Sequence, residues 1–396
     1  MKKNVLFVIP GLGAGGAEKS LVNLLNKIDY EKYNVDLFMF SHSGIFTEFL
    51  PKEVNILPPP KDYINFSLSF KNSLLALAKN KKFNLIGNKL MFTLINYKQK
   101  GYRNLDQYNW QYLSKCFGNL DNNYDVAIGF LEKTSIYFCV DNVIAKKKIG
   151  FIHNDYDKLG MNPKIDISYF EKLDNIVTVS EECLSILQKR FPTQKHKMSF
   201  IYNIVSPIMI NKMSQVEGKN LFSKHNKETI IISVGRLHYQ KGFNMAIKAC
   251  RNLIDKNYDI KWYVIGEGEE RENLIKLVKE NHLEDRFILL GLKSNPYPYI
   301  KQADIYVQPS RYEGKSIALD EAKILNKPIV VTNYTTAKDQ INNGIDGLIV
   351  DMDEESISEG IEKLIKDKKL KETLCNNLKE QKLGTEKEIE KLYEMI

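Results

Sequence analysis

Paired cysteines are absent from this sequence of 396 residues. Its five cysteines, at positions 116, 139, 183, 250 and 375, are odd in number, scattered and never spaced as Cys-x-x-Cys. This distribution excludes a disulfide-stapled scaffold and a cysteine-ligated zinc cluster, and it favours a reducing compartment.

Long apolar stretches are absent too. No segment reaches the roughly 18 uncharged apolar residues that a membrane-spanning helix requires. We interpret the first apolar run, Val5–Pro10, as a buried strand and not as part of a signal peptide, because glycine-rich sequence follows it without a small-residue cleavage pattern. Apolar residues nevertheless make up 43% of the chain, which excludes general disorder and, at about 100–200 residues per domain, predicts two or three globular domains.

Positive charge is concentrated in one segment. The chain carries 57 basic and 49 acidic residues, a net charge of +8. Segment 61–115 holds two acidic residues, Asp62 and Asp106, against ten basic ones, at positions 61, 71, 79, 81, 82, 89, 98, 100, 103 and 115. Because aromatic and aliphatic residues interleave these cations, the segment suits an anionic membrane surface or nucleic acid, and a solvated helical face is the structural alternative.

Short apolar runs alternate with segments of helical periodicity along the chain. The predicted strands are Val5–Pro10, Val35–Phe40, Val126–Phe130, Lys148–Ile152, Ile176–Val179, Thr229–Val234, Lys261–Ile265, Phe287–Leu289, Ile305–Gln308, Pro328–Thr332 and Gly347–Val350. Helical patterns include Ala17–Ile28, Phe243–Asp255, Glu270–Glu280 and Ser316–Leu325. Continuous apolar strands between helices predict an α/β fold with doubly wound parallel sheets, in two Rossmann-like halves joined near Ile201–Asn220.

A glycine loop, Gly11–Gly16, follows the first predicted strand and opens a helix. Glycines let backbone amides approach an anion at a helix N-terminus, so we favour a phosphate- or acceptor-binding loop over a purely structural turn. Three of the glycines also fit G-x-G-x-x-G, the pattern of nicotinamide-dependent oxidoreductases. That alternative needs an acidic residue at the end of the second strand, whereas Asp36 opens this strand and its end reads Phe-Ser-His.

Two cations follow the strand Thr229–Val234. Arg236 lies where the strand ends, and Lys241 lies five residues later at the entry to the next helix. An arginine fork and a lysine ammonium at this place can clamp a pyrophosphate and stabilise it as a leaving group without a metal. The alternative is two unremarkable surface cations.

Two glutamates, Glu313 and Glu321, flank the N-terminus of the helical pattern Ser316–Leu325. Both can face a pocket at the strand ends, with the positive end of the helix between them. One carboxylate can accept the vicinal hydroxyls of a ribose and the other can hold sugar hydroxyls, although two solvated glutamates are the simpler alternative.

In their order along the chain, the Gly-Gly-Ala-Glu loop, G-R-x5-G with its inner lysine, G-E-G, and E-x7-E followed by PIVVT resemble the retaining GT-B glycosyltransferases of family 4. The resemblance covers nearly the whole chain. It implies two Rossmann-like domains facing a central cleft, an acceptor-side domain at 1–205 and a nucleotide-sugar donor domain at 206–379. It also implies a C-terminal helix at about 380–396 that packs back on the first domain.

The resemblance implies specific roles. Arg236 and Lys241, with Gly15 and Gly16, would bind the donor diphosphate, and Glu321 would bind the ribose. Glu313, with Gly314 and Lys315, would contact the transferred sugar. His153, which follows a predicted strand, would lie beside that sugar, so that Glu313 and His153 are the expected catalytic residues.

The sequence departs from this family at two places. Lys315 and Ser316 stand where Gly-Phe-Pro is usual after the first glutamate, and we expect Lys315 either to contact a donor phosphate or an acidic donor group, or to point to solvent. Residues Asn333–Thr336 replace a glycine-rich turn, so no contacts are carried over to them.

No metal or other cofactor is expected. Asp-x-Asp occurs at 155–157 and 351–353, but two such tripeptides are easily found by chance among 49 acidic residues, and the two cations make a metal redundant. We expect a cytoplasmic enzyme, peripheral to the inner membrane face through segment 61–115. It would transfer a hexose or N-acetylhexosamine, with UDP as the default carrier, to a lipid-linked or surface-polysaccharide glycan. The alternatives are an oxidoreductase or a non-catalytic nucleotide- or glycan-binding protein, and nucleic acid is the least favoured partner.

Overall fold

The computed structural model describes residues 2–13, 15–98, 104–118, 120, 122–215, 221–222 and 228–396. The chain divides into two compact units. Unit 1 comprises Met1–Gly13, Leu21–Tyr202 and Glu388–Ile396, and unit 2 comprises Ala14–Ser20 and Asn203–Lys387. The predicted joint, Ile201–Asn220, includes the division at Tyr202, although positions 216–220 lie outside the described residues.

Unit 1 contains a parallel sheet of seven strands in the order β3-β2-β1-β4-β5-β6-β7. The strands are β1 (Lys3–Ile9), β2 (Tyr33–Met39), β3 (Asn55–Leu57), β4 (Tyr124–Gly129), β5 (Ala145–Ile152), β6 (Asn175–Thr178) and β7 (Met198–Phe200). Its helices are α1 (Gly16–Leu25, which begins within the stretch assigned to unit 2), α2 (Lys61–Ser67), α3 (Phe70–Lys79), α4 (Phe83–Lys98), α5 (Leu105–Leu113), α6 (Thr134–Asn142), α7 (Pro163–Phe170), α8 (Glu181–Arg190) and the C-terminal α16 (Ile389–Met395).

Unit 2 contains a parallel sheet of six strands in the order β10-β9-β8-β11-β12-β13. The strands are β8 (Thr229–Val234), β9 (Ile260–Ile265), β10 (Phe287–Leu289), β11 (Ile305–Gln308), β12 (Ile329–Thr332) and β13 (Leu348–Val350). Its helices are α9 (Pro207–Met213), α10 (Phe243–Asp255), α11 (Arg271–Glu280), α12 (Tyr297–Gln302), α13 (Ile317–Ile324), α14 (Glu354–Lys366) and α15 (Lys368–Glu380).

Short 3₁₀ helices complete the connections. They are Thr47–Phe49, Ser114–Cys116, Tyr156–Lys158, Pro192–Lys197, Tyr239–Lys241, Ala337–Asp339 and Glu386–Glu388. No helix in the described ranges is both long and apolar enough to cross a bilayer.

The cores of both units form because their central strands are apolar on both faces. In β1 the last five residues are all buried, and in β8 four consecutive residues are. Helices cover the two faces of each sheet, as in α10, whose buried residues recur at helical spacing. In unit 1, aromatic rings supply much of this packing, including Phe38 stacked on Phe138 with 4.5 Å between centroids. Doubly wound sheets are the result, as the alternating pattern predicted.

The strand order fixes where each unit can bind a ligand. The order reverses between β1 and β4 in unit 1 and between β8 and β11 in unit 2. In open parallel sheets, the crevice beyond the carboxyl ends of such neighbouring strands is the usual ligand site. The loops after β8 and β11, residues 235–242 and 309–316, contain the predicted cations and the first predicted glutamate.

Candidate active site

A buried ion pair joins the two loops at the switch point of unit 2. Lys241 Nζ lies 2.5 Å from Glu313 Oε1, and the Glu313 side chain is only 6% exposed. The chain can turn here because Gly242, in a left-handed conformation with φ of +66°, approaches the loop after β11. A Cβ at this position would clash with the Pro309 carbonyl. The sequence had placed these two charges in separate roles, and the structure brings them into contact.

Three further side chains hold the Glu313 carboxylate. Ser310 Oγ and Gln308 Nε2 donate to Oε1 over 2.6 and 3.0 Å, and Gln240 Nε2 donates to Oε2 over 3.3 Å. A carboxylate with this many donors is fixed in one orientation, which is what positioning a reacting sugar requires. Sequence reasoning missed all three. The signal available was that each is a polar residue at or just after the end of β8 or β11.

Arg236 is the more exposed of the two predicted cations. Its side chain is 55% exposed, and Nη2 lies 3.7 Å from Glu18 Oε1. A Cβ added to Gly15 would lie 2.8 Å from the same Nη2 and would clash with the Glu18 carboxylate. A side chain at position 15 would therefore require the flexible ends of Glu18 and Arg236 to move, whereas Gly16 has open space around its Cα.

Glu321 lies on α13 with its side chain 2% exposed. Oε1 accepts a hydrogen bond of 3.0 Å from the Tyr297 hydroxyl and forms an ion pair with Lys19. Burial lowers the pKa of Lys19, but the interactions with Glu321 and Tyr297 together more than offset this, and the pKa is raised. Sequence reasoning missed both partners, because neither lies near Glu321 in the chain.

The loop that carries Gly314 and Lys315 is held from the segment after β12. Thr336 Oγ1 donates to the Glu313 carbonyl over 3.1 Å. Gln340 binds both backbone groups of Ser316, accepting from its N–H over 2.8 Å and donating to its carbonyl over 2.9 Å. Thr336, in the stretch Asn333–Thr336 to which the family resemblance carried no contacts, therefore holds the loop after β11. Gln340, four residues further along, holds the start of α13.

Lys315 lies between exposed and buried, and its charge acts on Asp320. Burial raises the pKa of the Asp320 carboxyl, and the Lys315 charge opposes that rise. Its carbonyl accepts a hydrogen bond of 3.4 Å from Asn203 Nδ2. Lys315 therefore interacts electrostatically with the Asp320 carboxyl of its own chain, in addition to either of the two roles predicted for it.

His153 lies in unit 1, directly after β5. It is 7% exposed, and within the described ranges neither ring nitrogen has a hydrogen-bond partner. The ring packs on Phe130 with 4.9 Å between centroids, while its backbone N–H donates to Glu132 Oε2 over 3.1 Å. Burial lowers the pKa of His153 to about 3, and the Phe130 backbone opposes this only in part. The imidazole is therefore neutral near pH 7.

The acidic residues that suggested other functions are engaged elsewhere. Asp36 lies within β2 and accepts hydrogen bonds of 2.8 Å from Asn55 Nδ2 and 2.6 Å from the Tyr124 hydroxyl, so it does not stand at the strand end where a dinucleotide ribose would bind. In the two Asp-x-Asp tripeptides, Asp157 pairs with Arg190 and Asp353 caps α14. Among the described residues, no group of three or more metal-ligating side chains occurs.

Comparison with known proteins finds a family match in the second half of the chain. Residues 218–381 match the family described as Glycosyl transferases group 1. Over 96% of this chain and 94% of the other, the sequence is 27% identical to the N-acetylgalactosamine-N,N'-diacetylbacillosaminyl-diphospho-undecaprenol 4-alpha-N-acetylgalactosaminyltransferase of Campylobacter jejuni. It is 33% identical to the Staphylococcus aureus capsular polysaccharide biosynthesis glycosyltransferase CapM over 41% of this chain and 44% of that protein.

Solved structures share the fold over the whole chain. Staphylococcus aureus TarM, in a complex that contains UDP, matches with a TM-score of 0.66 at 16% identity and 99% coverage of both chains. Anabaena HepE, in complex with UDP and glucose, matches with a TM-score of 0.67 at 14% identity, again with 99% coverage of both chains. At these identities the likeness establishes the GT-B fold.

Proposed function

We propose that this chain, a glycosyltransferase with the GT-B fold, transfers a hexose or N-acetylhexosamine from a UDP-sugar to a lipid-linked or surface-polysaccharide glycan. Its residues 218–381 match the Glycosyl transferases group 1 family. We propose further that the transfer retains the anomeric configuration and needs no metal. The observation that carries this proposal is the contact between Lys241 and Glu313, which places a cation and a fixed carboxylate together at the switch point of unit 2.

The donor fits this site by its chemistry. A nucleotide sugar presents two anionic phosphates, a ribose with vicinal hydroxyls, and a hexose. Arg236 and Lys241 suit the phosphates, Glu321 suits the ribose, and Glu313 with the Gly314 loop suits the hexose. Lys241 pairs with Glu313 at 2.5 Å, whereas Arg236 lies 3.7 Å from Glu18 Oε1, so the half-exposed Arg236 is the less tightly paired of the two cations.

The reaction breaks the bond between the anomeric carbon and the diphosphate oxygen and forms a bond from that carbon to an acceptor hydroxyl oxygen. In the proposed front-face route, the acceptor proton passes to the departing phosphate oxygen, so no side chain needs to act as a base. Arg236 and Lys241 stabilise the negative charge that develops on the diphosphate, which is typically the largest single contribution to such catalysis. His153, being neutral, positions a sugar hydroxyl and adds no charge.

The acceptor and the carrier nucleotide are suggested by the relatives. The Campylobacter jejuni relative is named for a diphospho-undecaprenol acceptor, and both compared structures contain UDP. We therefore propose a lipid-linked oligosaccharide acceptor at the inner face of the cell membrane. Capsule, O-antigen or a similar glycan would be the product.

Segment 61–115 is our proposed membrane contact, and its apolar residues strengthen that proposal. Nine of the eighteen exposed large hydrophobic residues in the described ranges fall within positions 61–98: Ile64, Leu68, Phe70, Leu75, Phe83, Leu90, Met91, Leu94 and Tyr97. On α4 they recur along one face at positions 83, 90, 94 and 97. Exposed apolar side chains beside lysines are typical of a surface that rests on anionic lipid.

Lys89 does not belong to that basic surface, contrary to its inclusion in the charged segment. It is buried and donates to the carbonyls of Phe66 and Leu68 over 2.6 and 3.1 Å, so it holds the end of α2. Lys79 and Lys81 are exposed, whereas Lys82 pairs with Asp62 at 2.7 Å. Lys100 and Arg103 lie outside the described residues.

Donor turnover tests the proposed activity. Purified protein is incubated in EDTA with UDP-glucose, UDP-galactose, their N-acetyl analogues or GDP-mannose, with and without detergent-solubilised lipid-linked sugar, and released nucleoside diphosphate is measured. We expect release from one UDP-sugar, stimulated by the acceptor, lost in Glu321→Ala and unchanged in Glu372→Ala, a matched exposed glutamate on α15. Activity that disappears in EDTA and returns with Mn²⁺ would contradict metal independence. Binding of NADH without any donor release would favour the oxidoreductase alternative.

Liposome sedimentation tests the membrane contact. Replacing Phe83, Leu94 and Tyr97 by serine should weaken binding to vesicles that contain phosphatidylglycerol, and so should replacing Lys79 and Lys81 by glutamine, since each cation contributes roughly 1 kcal/mol near an anionic surface. Donor turnover without lipid acceptor should remain. Unchanged sedimentation of both variants would remove the membrane contact.

A further inference from the structure

We propose that Lys19 and Tyr297 are positioning residues for Glu321: they hold one carboxylate oxygen and present the other to the ribose of the donor. This inference rests on the proposed function, because it takes the ligand of Glu321 to be a nucleoside diphosphate. It adds two residues that the sequence motifs did not include, one of them in the first turn of α1.

The geometry of these three residues is a closed triangle. The Tyr297 hydroxyl donates to Glu321 Oε1 over 3.0 Å, and the Lys19 ammonium pairs with the same oxygen. Lys19 Nζ also lies 4.6 Å from the centroid of the Tyr297 ring, so each member contacts the other two. Since both donors bind Oε1, a ligand hydroxyl can be accepted at Oε2 without displacing either of them.

Burial explains why Glu321 needs these partners. Its side chain is 2% exposed, and that of Lys19 is 15% exposed. An ionised carboxylate in such surroundings is costly unless a cation and hydrogen bonds compensate for the lost water. Lys19 supplies the cation, and the Tyr297 hydroxyl supplies a neutral donor. Together they compensate for the water that the carboxylate has lost, and they leave its second oxygen as an acceptor for a hydroxyl.

Three titratable groups lie around Glu321 and have shifted pKa values. They are Lys19, Tyr297 and Tyr306, whose hydroxyl donates to Gln308 Oε1 over 3.1 Å. Burial lowers the pKa of Lys19, but the interactions with Glu321 and Tyr297 together outweigh it and the pKa is raised. Burial first and Glu321 second raise the pKa of Tyr297, and burial raises the pKa of Tyr306. All three groups therefore remain protonated near neutral pH.

Lys19 and Tyr297 would make the same contacts if their role were purely structural, so the experiment must distinguish that role from the positioning of Glu321. Binding of UDP, GDP, ADP and CDP, and of their 2′-deoxy and 3′-deoxy forms, is measured by calorimetry for the wild type, Lys19→Met, Tyr297→Phe and Glu321→Gln. Lys27→Met, which changes an exposed lysine just after α1, is the matched control. Thermal unfolding of each variant shows whether it folds.

The ratio of ribose to deoxyribose affinity is the decisive quantity. We expect the wild type to prefer one ribonucleoside diphosphate over its deoxy form by roughly tenfold or more, as for a hydrogen bond to a charged group. Lys19→Met should lower this ratio towards one by losing affinity for the ribose form alone, and Tyr297→Phe should lower it less.

Different failures have different meanings. If the wild type binds no nucleoside diphosphate, the proposed function is wrong and this inference falls with it. If the wild type discriminates between ribose and deoxyribose and Lys19→Met keeps the same ratio, the inference alone is overturned. Equal losses for ribose and deoxyribose forms would show that Lys19 is structural, which also overturns it.

Discussion

The carboxyl ends of the two sheets in this molecule differ in chemistry, although the strand order of the unit 2 sheet repeats that of the first six strands of unit 1. In unit 2, the charged groups beyond β8 and β11 are paired, and Glu313 alone receives four side-chain donors. In unit 1, the imidazole beyond β5 lies among aromatic rings with both nitrogens buried and unpartnered within the described ranges. One topology therefore carries two kinds of chemistry: paired charges with many hydrogen-bond donors in unit 2, and a neutral imidazole packed among aromatic rings in unit 1.

Because of this difference, substitutions in the charged site of unit 2 should have other consequences than substitution of the imidazole in unit 1. Removing one member of a buried charged pair leaves the other uncompensated, so the site of unit 2 should be fragile. Removing a buried neutral imidazole leaves no such charge.

Lys241→Met should have the largest effect, because it removes the cation that we propose to act on the leaving diphosphate and leaves the Glu313 carboxylate buried without its ion-pair partner. We expect kcat to fall by about 100- to 1,000-fold, the range seen when one group that stabilises developing charge is lost. Steady-state kinetics with the preferred UDP-sugar measures it. Lys248→Met, at an exposed lysine on α10, is the control and should behave as wild type. Unaltered kcat in Lys241→Met would deny that this cation acts on the leaving group.

His153→Gln should alter how stability depends on pH. The pKa of His153 is lowered by burial to about 3, below that of a histidine in an unfolded chain, so stability is complete above about pH 6.5 and is lost as the pH falls below that value. Between pH 7 and pH 5 this one group should cost the wild type about 2 kcal/mol, and His153→Gln should be spared that loss. Urea unfolding at both pH values measures it.

The exposed His196 supplies the control for this experiment. His196→Gln should follow the wild-type pH profile, because that side chain is not buried. A His153→Gln protein that loses as much stability between pH 7 and pH 5 as the wild type would show that His153 is not the buried neutral group described here.

Thr336→Val should have the smallest effect. It removes the hydroxyl that donates to the Glu313 carbonyl while keeping the side-chain shape, and the lost hydrogen bond should cost about 1 kcal/mol of folding stability. A few-fold decrease in kcat should accompany it, with KM for the donor little changed. Thr335→Val, at an exposed neighbour, should leave both quantities as they are. Equal effects of the two substitutions would argue against a specific role of Thr336.

The sequence predicted the fold well, because the central strands are continuous apolar runs. All eleven predicted strands are present, and β8, β10 and β11 have the predicted bounds. The strands that were missed, β3 and β7, are three-residue strands at the edges of the unit 1 sheet, and β3 has no buried residue. β3 and β7 contain one buried residue between them, Met198, so neither shows the continuous apolar run that marks the central strands.

The site was predictable in part. Motif residues such as Arg236 and Glu321 could be read from the sequence because they occur at characteristic spacings. Their partners could not, since Lys19 and Glu321 are about three hundred positions apart in the chain. Lys89 shows the converse, because a lysine in a basic segment reads as exposed, and only the packing of α4 against the end of α2 reveals that it is buried.

The central claim is that unit 2 holds the donor nucleotide, and titration of UDP by calorimetry into the wild type, Arg236→Ala and His153→Gln tests it most directly. We expect Arg236→Ala to weaken UDP binding by roughly tenfold or more, because a charge-assisted contact is lost. His153→Gln should bind UDP with the wild-type Kd, because UDP carries no transferred sugar for the imidazole to position. Wild-type affinity in Arg236→Ala together with weakened binding in His153→Gln would contradict the account and place the nucleotide in unit 1.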